Sequence, residues 1–142
     1  MSLQRPRVYC IDGTNIVRVC CGYAGASFRR QEEADAARLL SALLQLCRSQ
    51  DQDMDVELYF DGAARTLSSQ GSPNLRVRFA DELPADELIM DRVRLGRHEG
   101  RRVVVVTADS DLGRRAQEEG GRWIRCGQGQ TLESVVGGLL RH

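Results

Sequence analysis

The sequence predicts an α/β protein, a three-layer α/β/α sandwich around a mostly parallel central sheet. Three observations carry that expectation. Strand-forming runs alternate with helical stretches along the chain, as strand–helix–strand units do. The run from Arg102 to Thr107 is almost continuously apolar, the pattern of a central parallel strand covered on both faces. The 142 residues contain no linker and no repeat, so one domain, 1–142, is expected.

The elements follow in order. Arg7 to Ile11 reads as the first strand, closed by a turn at Asp12-Gly13 and a loop holding Gly22, Gly25 and Ser27. A long helix runs from about Gln31 to Cys47, with Ala36, Leu40, Leu43, Leu44 and Cys47 on one face. Val56 to Phe60 is the second strand and ends at Asp61-Gly62. Leu75 to Phe79 alternates apolar and charged residues, which suits a half-exposed strand near the sheet edge. Pro84 suits the first position of the next helix, whose stripe is Leu88, Ile89 and Val93. After the apolar fourth strand a helix spans about Asp111 to Glu119 and ends at Gly120-Gly121. Trp123 to Cys126 is a short last strand, and Thr131 caps a closing helix that reaches Leu140.

Composition excludes several functions. Net charge is zero, so no global basic field draws the protein onto nucleic acid. All 20 basic residues are arginine. Without lysine there is neither a P-loop nor a Schiff-base amine. Five cysteines, an odd number with no C-x-x-C pair, suggest no disulfide framework and no zinc knuckle. They suit a reducing compartment, and with no apolar segment after Met1 to Arg7 the expected location is cytoplasmic, off the membrane.

Asp12, Asp61, Asp86, Asp109 and Asp111 each follow a strand or open the next helix. Singly, each has an ordinary explanation: a turn for Asp12 and Asp61, dipole compensation for Asp86, a helix cap for one of Asp109 and Asp111. Glu87 and Asp91 stay with that explanation. Together the five imply more, because parallel topology brings the ends of the first, second and fourth strands to one edge. Like charges ~4 Å apart repel by on the order of 4 kcal/mol at an effective dielectric of 20. A hard divalent ion, Mg²⁺ or Mn²⁺, relieves that repulsion and suits carboxylate oxygens. His98 and His142 are too few for a histidine-based zinc site.

Ile11-Asp12-Gly13-Thr14-Asn15-Ile16, Phe60-Asp61-Gly62, Pro84 to Ile89 and Val105 to Asp111 together resemble the NYN domain of the PIN-like nucleases, closest to its bacterial YacP-like branch. The stretch Cys126-Gly127-Gln128-Gly129 also fits that branch. The resemblance implies a PIN-like fold and a metal-dependent ribonuclease, acting as an endoribonuclease. It implies one or two Mg²⁺ or Mn²⁺ ions on Asp12, Asp86, Asp109 and Asp111, with Asp61 as a further candidate. Asn15 matches the family's signature asparagine and is expected to orient Asp12 or touch the scissile phosphate. The chain departs from the branch at Thr14, where tyrosine is frequent.

Substrate contacts are expected from Asn15 and Thr107, the latter also as a hydrogen-bond partner of a ligand, and from Arg29, Arg30, Arg65, Arg114 and Arg115. The resemblance implies RNA as the partner, whether free or on the ribosome. A haloacid-dehalogenase-type phosphatase is the rival enzyme, but Thr14 stands where it needs a second aspartate. A non-catalytic PIN-like module that binds RNA or the ribosome is the other alternative. The apolar face Leu132, Val135, Val136, Leu139 and Leu140 suits either packing on the sheet or a homodimer.

Overall fold

The computed structural model describes residues 6–22, 29–49, 54–65, 72–127 and 129–141. Its elements are β1 (Arg7–Asp12), α1 (Gly13–Cys21), α2 (Arg29–Ser49), β2 (Met54–Phe60), β3 (Leu75–Phe79), α3 (Ala85–Glu99), β4 (Val103–Thr107), α4 (Ser110–Glu118), β5 (Arg122–Arg125) and α5 (Leu132–Gly138), which tightens into a 3₁₀ turn at Leu139–Arg141. The five strands lie in the order β3-β2-β1-β4-β5 and every pairing is parallel.

Strand periodicity sorts the core into two layers. Tyr9, Ile11, Val104 and Val106 point to the face covered by α1, α2 and α5. Val8, Cys10, Val103 and Val105 point to the face covered by α3 and α4. Both central strands are therefore apolar at consecutive positions, which is why Val103–Thr107 is buried throughout. β3 lies at an edge, with Arg76 and Arg78 exposed, and its alternating sequence follows from that place.

Two local expectations need correcting. The turn-and-loop reading after β1 missed α1, which starts at Gly13 directly after Asp12. Its turn-forming Asp-Gly-Thr-Asn start and its β-branched Ile16, Val17 and Val19 disguise it. Gly13 itself serves a close approach, for a Cβ there would lie 2.6 Å from the Phe60 ring and 2.8 Å from the Tyr59 carbonyl. Pro84, with φ −64° and ψ 143°, precedes the first turn of α3 as its cap position. Leu132, Val135, Val136 and Leu139 are core residues packed with α1, α2 and the sheet, the packing alternative expected for that face. Leu140 alone of the five is exposed, at 50%. Gly25, Ser27, Gln128 and His142 lie outside the described residues. Among the described residues no helix is long and apolar enough to cross a membrane.

Candidate functional site

β1 is the point where the sheet's order reverses: β2 and β3 continue on one side of it, β4 and β5 on the other. Open α/β sheets form their crevice at such a point, beyond the carboxyl ends of the strands. Here a cleft of ≈ 250 Å³ opens there, lined by Asp12, Asp61, Asp86 and Asp109, with Thr14, Asn15 and Arg18 beside them. Among the described residues the lining thus sets four carboxylates against the one guanidinium of Arg18.

Asp12 is the last residue of β1 and only 7% exposed. Burial pushes its carboxyl up to about 6, and the nearby charges of Asp61 and Asp109 push the same way. Thr107 opposes them by donating its hydroxyl to Asp12 Oδ2 at 2.9 Å. That hydroxyl also accepts from the Asp109 N–H at 3.1 Å. Thr107 is wholly buried, which corrects its expected contact with substrate: it holds Asp12 and the β4–α4 turn.

Asn15, in the first turn of α1, accepts the Ala108 N–H on its Oδ1 at 2.8 Å. It therefore ties α1 to the turn carrying Asp109, and among the described residues its side-chain N–H donors have no partner. Asp109 caps α4, its Oδ1 accepting from the N–H groups of Asp111 at 2.9 Å and Leu112 at 3.4 Å. Asp111 occupies the exposed first turn of α4 and does not line the cleft with the other four.

Asp86 comes from the first turn of α3. Its Oδ1 is buried without a hydrogen-bond partner among the described residues, and its Oδ2 lies 3.8 Å from Arg115. Asp61, just past β2, accepts the Ala85 N–H on Oδ1 at 2.8 Å and donates its own N–H to Thr14 Oγ1 at 2.8 Å.

The expected arginines divide. Arg115 does not line the cleft but lies 3.8 Å from Asp86 and 3.2 Å from Glu87. Arg65 is already engaged: it pairs with Glu33 at 2.7 Å, donates to the carbonyls of Asp61 and Ala63, and lies over the rings of Phe60 and Phe79. It pins the loop after β2 and would have to leave Glu33 to meet a phosphate. Arg30 and Arg114 are exposed away from the cleft's lining, and the Arg29 side chain lies outside the described residues. The cation that does line the cleft is Arg18, paired with Glu32 at 2.9 Å. Missing α1 hid it, although Asn15 and Arg18 are three apart and share a helix face.

A hard cation is the group this donor set calls for. An orphaned buried oxygen on Asp86 and a buried, crowded Asp12 fit one, and no histidine or cysteine lines the cleft. Among the described residues no three acidic, histidine or cysteine side chains form a ready metal-binding group as they stand. The chemistry of the donors fits, then, without a finished cage. Comparison with known protein families and with curated proteins returns no match.

Proposed function

We propose that this chain is a metal-dependent ribonuclease of the PIN-like, NYN type, cutting RNA phosphodiester bonds internally. The observation that carries the reading is the gathering of Asp12, Asp86 and Asp109, far apart in the chain, in one cleft at the reversal point of the sheet. A binding surface for RNA gains nothing from carboxylates beside a phosphate. A hydrolytic centre built on a hard divalent ion needs them.

Asp12, Asp86 and Asp109 are the residues that would hold Mg²⁺ or Mn²⁺. When bound, such an ion lowers the pKa of its water and stabilises charge on the phosphoryl oxygens. The chain's own part is to position and neutralise. Thr107 fixes the rotamer of Asp12 through one hydrogen bond. The N–H donors of Asn15, without a partner among the described residues, are available to a non-bridging phosphate oxygen. Arg18 offers a guanidinium to a neighbouring phosphate once it leaves Glu32, a partly exposed pair that costs little to break.

The test is a Mn²⁺ titration with labelled structured and single-stranded RNAs, comparing wild type with Asp12→Asn. Cleavage should require the ion. The variant should lose roughly 100-fold or more, because even indirect partners of metal ligands cost 10–100-fold. Cleavage unaffected by chelator, or full activity in the variant, would end the proposal. RNA bound but never cut would favour the non-catalytic module instead.

A further inference from the structure

We propose that Asp61 is a positioning residue: it fastens the first turn of α3 to the ends of β2 and α1, and so holds the Asp86 carboxylate in the cleft. The inference rests on the ribonuclease reading and assigns Asp61 a task other than metal ligation.

A helix begins with N–H groups that have no partner inside it. The residue before the helix usually supplies an acceptor from a serine, threonine, aspartate or asparagine side chain. α3 has Pro84 in that place, and proline offers no such group. The acceptor comes instead from Asp61 on another element, whose Oδ1 takes the Ala85 N–H at 2.8 Å. Ala85 is 2% exposed, so water is a poor substitute.

Asp61 is itself held on two sides. Its N–H donates to Thr14 Oγ1 at 2.8 Å, and Thr14 is buried in the first turn of α1. Its carbonyl accepts from Arg65 at 3.2 Å. The segment entering α3 is tied to the same loop, with Ala80 N–H on the Phe60 carbonyl and Asp81 N–H on the Gly62 carbonyl, both at 2.9 Å. A chain of bonds thus runs from α1 through Asp61 to α3. Asp86, with its buried orphan Oδ1, is the next residue along. If this first turn shifts, Asp86 shifts with it. Thr14, where the phosphatase reading needs a second aspartate, is the foot of this chain.

Asparagine and alanine at position 61 separate the two roles. Asparagine keeps a carbonyl oxygen for the Ala85 N–H but is a poor metal ligand. Alanine keeps neither property. The readouts are hydrogen exchange of the Ala85 amide in metal-free protein, and Mn²⁺ affinity from the electron paramagnetic resonance signal of the free ion. For Asp61→Ala, exchange should quicken roughly fivefold, the usual scale of a lost cap. Its Mn²⁺ affinity should fall roughly tenfold, as when a ligand's supporting partner is removed. For Asp61→Asn both should stay within about threefold of wild type, since asparagine caps as well as aspartate does.

Equal loss of Mn²⁺ affinity in both variants makes Asp61 a direct ligand and overturns the proposal. Unchanged Ala85 exchange in Asp61→Ala overturns it too. Should that variant fail to fold, Thr14→Val against Thr14→Ser gives the same contrast at the other end of the chain. RNA cleavage is scored apart: wild type that binds Mn²⁺ but cuts no RNA defeats the ribonuclease reading, while exchange and affinity still decide the role of Asp61.

Discussion

Asp12 concentrates the electrostatic problem in one side chain. Its carboxyl titrates at about 6 in the fold against 3.8 in an open chain, so between those values the folded state holds more protons. Metal-free stability therefore falls as pH rises from about 4 to about 6, and above that the whole penalty is present. Asp12→Asn removes the charge and leaves an oxygen for the Thr107 hydroxyl. Urea unfolding of the metal-free protein at pH 8 should show the variant more stable by about 1–3 kcal/mol, with the gain fading toward pH 4. A variant less stable at pH 8 would mean that the charge itself supports the fold. At Asp109 the cap and the charge separate. Asp109→Ala loses both hydrogen bonds to the start of α4 and should cost about 1 kcal/mol, whereas Asp109→Asn keeps the cap and sheds the repulsion. In metal-free protein the asparagine variant should melt no lower than wild type, and a drop of several degrees would make that carboxylate structural.

Elements differ in how plainly their sequences announce them. α2 advertises itself with Ala36, Leu40, Leu43 and Leu44 at helical spacing, and the structure extends it to Arg29–Ser49. β4 announces itself by its unbroken valines. α1 does not, because nine residues that begin with turn formers carry too little periodicity to outweigh them. β2 carries another feature invisible locally. Glu57 is buried beneath α3, accepting from Tyr59 at 2.6 Å and Arg92 at 3.0 Å. Burial raises its carboxyl, but Tyr59 and Arg92 together outweigh that and hold it below its ordinary range. Arg92 is mostly buried too, so Glu57→Ala leaves it with the longer pair to Glu99 at 3.4 Å. That should cost about 3 kcal/mol. Thermal melting checks it, the expected drop being roughly 10 °C at this chain length. A drop of only a degree or two would show the pair to be solvated.

The whole molecule has no net charge, yet its candidate site is acidic. The neighbouring groove continues that sign, with Glu32, Glu33 and Asp61 against Arg18 and Arg65. RNA should therefore bind weakly while the carboxylates stand alone, and more tightly once Mn²⁺ neutralises them. Fluorescence anisotropy at one fixed salt concentration, with chelator and then with Mn²⁺, measures the difference. Equal binding in both states would place the RNA on another face.

The amino-acid sequence by itself determined the alternation of strands and helices, the two-sided burial of β4 and the positions of the acidic residues, because periodicity and turn chemistry are local. Only the tertiary structure decided which acids share a cleft, since that depends on strand order and on helix starts. It brought Asp12, Asp61, Asp86 and Asp109 together and left Asp111 outside the lining. It buried Thr107, engaged Arg65 with Glu33 and the aromatic rings, and brought Arg18 to the rim. The physical reason is that charge acts through space, and neighbours in space are set by how β1 sits between β2 and β4.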